Sequence, residues 1–258
     1  MGLDGLCESL IVVFAFPIDG TLQRYHSYPF DKLYTLPDHL TLEDGAMLEP
    51  LSVAVHAVSN VGQFRHGRNV LVFGAGPVGR LCMAIARVLG AMEIVVADII
   101  ASRLEFAKQY CCYGNRVVEL MRNTIGPKER GPKSFDLVID ATGAETCIQI
   151  ALSAVKLGGT FVRVGIGPES VQIPITALIA KQPKVTGSIV YCPGDYQLAL
   201  ALASSGKVDL KPLVTHRFED AVTAFEVTRA GKSIDERGQT KDVIKTIISG
   251  PDVNTLDL

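Results

Sequence analysis

This chain has no large excess of either charge, no Cys-x-x-Cys pair and no long apolar run. The formal net charge is −2 over 258 residues, so nothing favours nucleic acid or an anionic membrane surface as a partner. The six cysteines are Cys7, Cys82, Cys111, Cys112, Cys147 and Cys192, and none stands in a Cys-x-x-Cys pair. They read as reduced, mostly buried thiols of a cytoplasmic protein. The apolar run from Leu10 to Phe16 is too short to span a membrane. Asp4 and Glu8 stand where a secretory signal would carry positive charge, which argues against secretion. Neither an internal repeat nor a low-complexity tract is present. What remains is 48% hydrophobic and 20% charged, the composition of a globular protein with core enough for one large domain or two smaller ones.

The stretch from Asn69 to Asp98 organises the rest. Val70 to Phe73 are consecutive apolar residues, as a strand buried on both faces requires. Gly74-Ala-Gly76-Pro-Val-Gly79 follows, and then Leu81, Cys82, Ile85, Ala86 and Leu89 recur at helical spacing up to Gly90. Ile94 to Ala97 form a second buried strand, ended by Asp98, an acid 19 residues past the third glycine. In such a unit Gly74 allows the tight turn and Gly76 lets a pyrophosphate approach the backbone, while Gly79 lets helix and strand pack closely. Free N–H groups and the dipole at the helix start hold phosphate charge. Asp98 can accept hydrogen bonds from the ribose hydroxyls of NAD and would repel the 2′-phosphate of NADP. A bare glycine triplet says little. Here strand, helix, second strand and acid are all in place, so the cofactor reading outweighs a purely structural glycine turn.

Elsewhere the chain alternates strands and helices. Thr41 and Asp44 mark a capped helix start, and Pro50 fits the first turn of a further helix. Glu49 then reads as an acid near a helix N-terminus. His56 reads as a satisfied core histidine, since nothing nearby in the sequence completes a metal set. Helices are expected over 102–110, from Gly143 to about Lys156, from Tyr196 to Ala203 and over 219–230. Strands are expected over 135–140, 160–167, 185–191 and 243–248, with Pro212 to Phe218 extended and Pro127 to Lys133 a solvated loop. Alternation of this kind means a parallel sheet with ligands beyond its C-terminal strand ends. Asp98, Thr142, Gly165 and Tyr191 all fall at such ends.

Several segments together resemble the polyol branch of the zinc-dependent medium-chain dehydrogenases, the sorbitol and xylitol dehydrogenases. They are Pro17 to Leu22, Leu48 to Val53, Gly74 to Gly79, Ala141 to Glu145, Gly158 to Val162 and Gly206 to Phe218. Pro193-Gly-Asp-Tyr196 leans towards the xylitol enzymes. The resemblance implies an α/β fold, a Rossmann doubly wound parallel sheet with remnants of a mainly-β GroES-like catalytic domain. It implies a remnant of that domain over 1–48, an NAD-binding domain over 49–192, and a part over 193–258 that completes the catalytic side. Cofactor contacts are implied at Gly74, Gly76, Val78, Gly79, Asp98 and Arg103, and around the nicotinamide at Val164, Gly165, Ile166, Ser188 and Ile189. Glu49 matches the acid beside the catalytic zinc, and Tyr191 a substrate-side tyrosine.

Two departures qualify it. Val190 stands where the family has arginine. The family's zinc-binding cysteine and its His-Glu pair have no counterpart in this sequence, which implies an amino-terminally shortened catalytic domain. Of four structural-zinc cysteines only Cys7 is matched, and it reads as a free thiol. The function expected is NAD-dependent oxidation of xylitol or sorbitol to a ketose, with zinc as the family's Lewis acid. A non-catalytic NAD-binding or oligomer-forming module is the alternative. Hydride transfer with a non-metal acid such as Tyr191 is a third option. A cytoplasmic homo-oligomer that binds NAD(H) and a small polyol or ketose, but no nucleic acid or membrane, completes the expectation.

Overall fold

The computed structural model describes residues 20–23, 25–110, 134–234, 237–238 and 240–250. Cys7, the run Leu10 to Phe16 and the loop Pro127 to Lys133 lie outside the described residues. Five parallel strands form the central sheet: β1 Asn69–Phe73, β2 Glu93–Ala97, β3 Phe135–Asp140, β4 Val155–Arg163 and β5 Lys184–Gly187. Their spatial order is β2-β1-β3-β4-β5. Strand β1 pairs with β2 on one side and β3 on the other, so the chain reverses its direction of winding at β1. That crevice is where parallel sheets bind ligands.

Side-chain alternation explains the two layers. Val70, Val72, Ile94, Val96, Leu137, Ile139 and Val162 face one apolar cluster. Helices α1 Leu42–Val55, α2 Pro77–Val88, α3 Ala101–Tyr110 and α6 Asp195–Ser204 contribute to that cluster. Leu71, Phe73, Val95, Ala97, Val138 and Phe161 face the other, packed on α4 Glu145–Ala154, with Leu178 of the short α5 Thr176–Lys181 alongside. Towards the C-terminus, β6 Val214–Phe218 pairs in parallel with β9 Lys245–Ile248. Helix α7 Ala221–Ala230 leads into the antiparallel pair β7 Lys232–Ile234 and β8 Thr240–Asp242.

Four sequence expectations need correction. Pro50 opens no new helix: α1 runs through it, capped at Thr41 by the reciprocal bonds with Asp44. Burial of Met47, Leu48, Leu51, Ala54 and Val55 outweighs the one backbone donor that proline lacks. The boundary expected between residues 48 and 49 thus falls inside one helix, and Glu49 sits mid-helix. The 185–191 strand stops at Gly187, because Val190 turns the chain with φ 44°. The 160–167 strand begins and ends earlier, at Val155 and Arg163, with an irregular register opposite Phe135 to Leu137. Helix α4 stops at Ala154 rather than near Lys156.

Candidate functional site: the dinucleotide crevice and the tyrosine cluster beside Glu49

The loop out of β1 is built for close backbone approach. Gly74 has φ +93° and its N–H donates to the Ala97 carbonyl at 2.7 Å. A Cβ on Gly79 would lie 1.8 Å from the Gly74 carbonyl oxygen, so helix α2 can pack on the turn only without one. Gly76 differs: a Cβ there would meet nothing within 4 Å. The empty space lies above the first turn of α2, whose N-terminal N–H groups have no side-chain cap. Space without a side chain over uncapped N–H groups fits a pyrophosphate. Val78 lies in this turn and packs against the core.

Asp98 closes the loop from the end of β2. Its two carboxylate oxygens accept from the Ala75 N–H at 2.7 Å and the Ile100 N–H at 2.9 Å. The acid therefore holds the glycine turn in shape, with lone pairs left for ribose hydroxyls. Arg103 lies in the first turn of α3, and its carbonyl accepts from the Arg80 guanidinium, which lies 4.1 Å above the Phe106 ring.

Further along the crevice, two loops touch backbone to backbone. The Val164 and Gly165 N–H groups both donate to the Asp140 carbonyl at 2.8 Å. A Cβ on Gly165 would fall 2.3 Å from the Gly143 nitrogen. The fully buried Asp140 carboxylate accepts from the Thr142 hydroxyl and from the Thr142 and Gly143 N–H groups. The loop bearing Val164, Gly165 and the almost fully exposed Ile166 is thereby fixed. Sequence reading missed Asp140, although an acid at a strand end before Thr-Gly is a signal for this arrangement. Ser188 follows the end of β5, where its N–H donates to the Arg163 carbonyl at 2.8 Å. Its hydroxyl oxygen is buried with no hydrogen-bond partner among the described residues. An orphaned hydroxyl at this crevice fits a polar group of a ligand. Ile189 beside it is exposed.

Glu49 and Tyr191 come together with residues that the sequence did not single out. The Tyr191 and Tyr196 rings lie 5.8 Å apart, and Tyr34 stacks on Tyr196 at 4.5 Å. Although Glu49 is open to solvent on one side, enough protein surrounds its carboxyl that desolvation raises it above the ordinary glutamate range. Lys245 opposes that rise. Burial pushes the Tyr191 phenol up to about 12, helped by the Glu49 charge. Tyr191 therefore stays protonated and can only donate or accept a hydrogen bond, whereas Glu49 can exchange a proton nearer neutral pH. Nothing in the sequence marks Tyr34, because its partner is 162 residues away.

His56 is buried, and its Nδ1 lies 2.8 Å from an Asp195 carboxylate oxygen, as a satisfied core histidine would be. Nothing near it in the sequence offers metal ligands, but the fold brings two distant residues alongside it. His56, Cys192 and Asp195 bring a nitrogen, a sulfur and an oxygen within 4.8 Å of one another. Glu49 belongs to no such group among the described residues. A zinc ion at Glu49 would need about three protein ligands, and the described residues do not supply them there.

Comparison with known proteins agrees with the geometry. Residues 77–205 match the family described as Zinc-binding dehydrogenase. The chain is 41% identical to D-xylulose reductase A of Aspergillus niger over 259 aligned residues, covering 97% of this chain and 69% of that protein. It is 39% identical to D-xylulose reductase of Saccharomyces cerevisiae, covering 92% and 66%. Among solved structures, an Escherichia coli oxidoreductase/dehydrogenase of unknown specificity superposes with a TM-score of 0.81 at 25% identity, over 96% of this chain and 70% of that one. L-idonate 5-dehydrogenase from Escherichia coli shares the fold, with a TM-score of 0.77 at 24% identity over 92% and 66%.

Proposed function

Since the chain belongs to the zinc-binding dehydrogenase family, we propose that it serves NAD-dependent polyol oxidoreduction, exchanging hydride between NAD(H) and a xylitol- or sorbitol-type alcohol and its ketose. The observation that carries this reading is the 41% identity to a D-xylulose reductase across almost the whole chain. The open space over Gly76 supports the cofactor half. There the first turn of α2 takes the pyrophosphate, Asp98 the adenosine ribose and Arg103 the adenine edge. Val164, Gly165, Ile166, Ser188 and Ile189 flank the nicotinamide. In this reading the alcohol carbon gives its hydride to the nicotinamide ring and the hydroxyl gives its proton to Glu49, whose raised carboxyl suits proton exchange. Tyr191 donates a hydrogen bond to a neighbouring oxygen. The zinc ion that the family supplies as a Lewis acid finds no ligand set at Glu49 among the described residues, so no step runs through it here.

The test is turnover: purified chain, NAD with xylitol and sorbitol, and NADH with D-xylulose, followed at the NADH absorbance. Turnover lost in Glu49→Gln with NADH binding retained is the expected result. A chain that binds NADH but turns over none of the three substrates would favour a second reading, a non-catalytic NAD-binding or oligomer-forming module. The missing ligand set at Glu49 is the observation on that side. The same proposal includes a homo-oligomer and a cytoplasmic location, and it takes 1–48, 49–192 and 193–258 as divisions of descent rather than as units that fold apart. No helix among the described residues is long and apolar enough to cross a membrane.

A further inference from the structure

Three side chains that the polyol reading leaves unused meet where α1 ends and the turn before α6 begins. We propose that His56, Cys192 and Asp195 form a binding site for a divalent transition-metal ion of the zinc class, held by imidazole Nδ1, thiolate and carboxylate. Their ligand atoms already lie within 4.8 Å of one another, with His56 and Asp195 buried and Cys192 partly so. Nitrogen, sulfur and oxygen in one small pocket is a donor set that suits zinc better than magnesium or calcium.

Two further observations go beyond the proximity of the three residues. The first is backbone geometry. Beyond Val55 the helix widens into a π-helical stretch, His56–Val61. Such stretches are rare and recur at functional sites. This one brings His56 and Asn60 to the same carboxylate, Nδ1 to Oδ2 and Nδ2 to Oδ1. The second is the outer bonding. Asn60 holds the far oxygen of Asp195, and the Cys192 N–H donates to the near one at 2.7 Å. Ligating carboxylates are oriented by outer hydrogen bonds of this type, and the second bond also ties the thiol-bearing residue to the carboxylate.

Little rearrangement is needed. Metal–nitrogen and metal–oxygen bonds of about 2.1 Å at a tetrahedral angle set the two ligand atoms roughly 3.4 Å apart, so the present 2.8 Å separation opens by about half an ångström. The thiol proton goes to solvent, the imidazole proton moves from Nδ1 to Nε2, and no electrons are transferred. Three protein ligands leave a fourth position for water. The proposal does not rest on the polyol reading. The bland account is a buried histidine–aspartate pair with a cysteine nearby by chance.

The test uses the full chain with Cys7, Cys111, Cys112 and Cys147 replaced by serine, stripped with a chelator. Titration with Co2+ should saturate at one equivalent with a near-ultraviolet thiolate-to-metal band, and competition with a chromogenic chelator should give the Zn2+ affinity. Cys192→Ser should remove the band and weaken Zn2+ by more than tenfold, while Asn60→Ala keeps the band and weakens Zn2+ by about tenfold, as loss of an outer partner does. Far-UV circular dichroism and NADH binding should be unchanged in both variants. A second measurement needs no variant at this site: Zn2+ should slow alkylation of Cys192, read by mass spectrometry. No stoichiometric metal, a band that survives Cys192→Ser, or alkylation indifferent to Zn2+ would each overturn the proposal.

Discussion

Gly76 and Gly79 stand three residues apart and should answer a new side chain in opposite ways. Around Gly76 a Cβ has open space, and around Gly79 it meets a carbonyl oxygen at 1.8 Å. Gly76→Val is therefore expected to keep the fold and abolish NADH binding in calorimetry, because valine fills the volume over the helix start. Gly79→Ala should instead cost about 1–3 kcal/mol or more in urea unfolding, as an overpacked contact does. Normal NADH affinity in Gly76→Val would remove the phosphate assignment. If Asp98 faces the adenosine ribose as proposed, unmutated protein should prefer NADH to NADPH, and Asp98→Ser should narrow the gap in a fluorescence titration. Glu49 links the site to pH. Its raised carboxyl binds a proton more tightly in the folded state, so its contribution to stability is present at low pH and is lost as pH rises through the raised value. Glu49→Gln should stabilise the protein near neutrality, with the difference closing at acid pH; a gap that widened on acidification would refute that account. Val190 holds a left-handed backbone unusual for a β-branched residue. Relief of strain in Val190→Gly should outweigh the added chain entropy and raise the unfolding free energy measured in urea by roughly 1 kcal/mol.

Among the elements, those set by local chemistry were legible and those set by distant partners were not. The β1–α2–β2 unit reads from its apolar runs and glycines because each residue's reason lies within a few positions of it. The cap at Thr41 reads equally well, and Thr41→Ala should cost about 1 kcal/mol in unfolding. Helix α1 as a whole does not read, since Pro50 signals a start and only the burial of its neighbours carries the helix through. Ser52 adds a bond from its hydroxyl to the Leu48 carbonyl at 2.7 Å, which no spacing rule foretells. The pairings His56–Asp195 and Tyr34–Tyr196 span 139 and 162 residues. A sequence window sees neither. The β7–β8 hairpin and helix α5 also went unread, being short and half-exposed. By contrast, Asp98, Thr142 and Gly165 follow from topology as residues at or just beyond strand ends, whereas Ser188, inside the expected 185–191 strand, comes only from the family resemblance.

At the scale of the whole molecule, the sheet ends in an edge strand: among the described residues β5 pairs with β4 on one side only, and Val185, Ile175, Ile179 and Ile189 nearby are exposed. Unprotected edges with apolar surroundings invite pairing with another chain. The purified protein is expected to scatter light as an oligomer at micromolar concentration, and Val185→Lys should shift it towards monomer. A monomeric unmutated chain would count against this edge as a contact surface.

Helix α1 has a consequence of its own. It packs against both α2, which opens the cofactor loop, and α6, which begins at Asp195, and all three share one apolar cluster. The dinucleotide crevice and the C-terminal portion therefore have no seam along which to come apart. Amide hydrogens of β1, α1 and α6 should exchange with deuterium at a common slow rate, set by opening of the whole molecule rather than of either half. A gene cut after codon 48 or codon 192 divides that cluster, and should yield fragments that proteases clear rather than two separable modules.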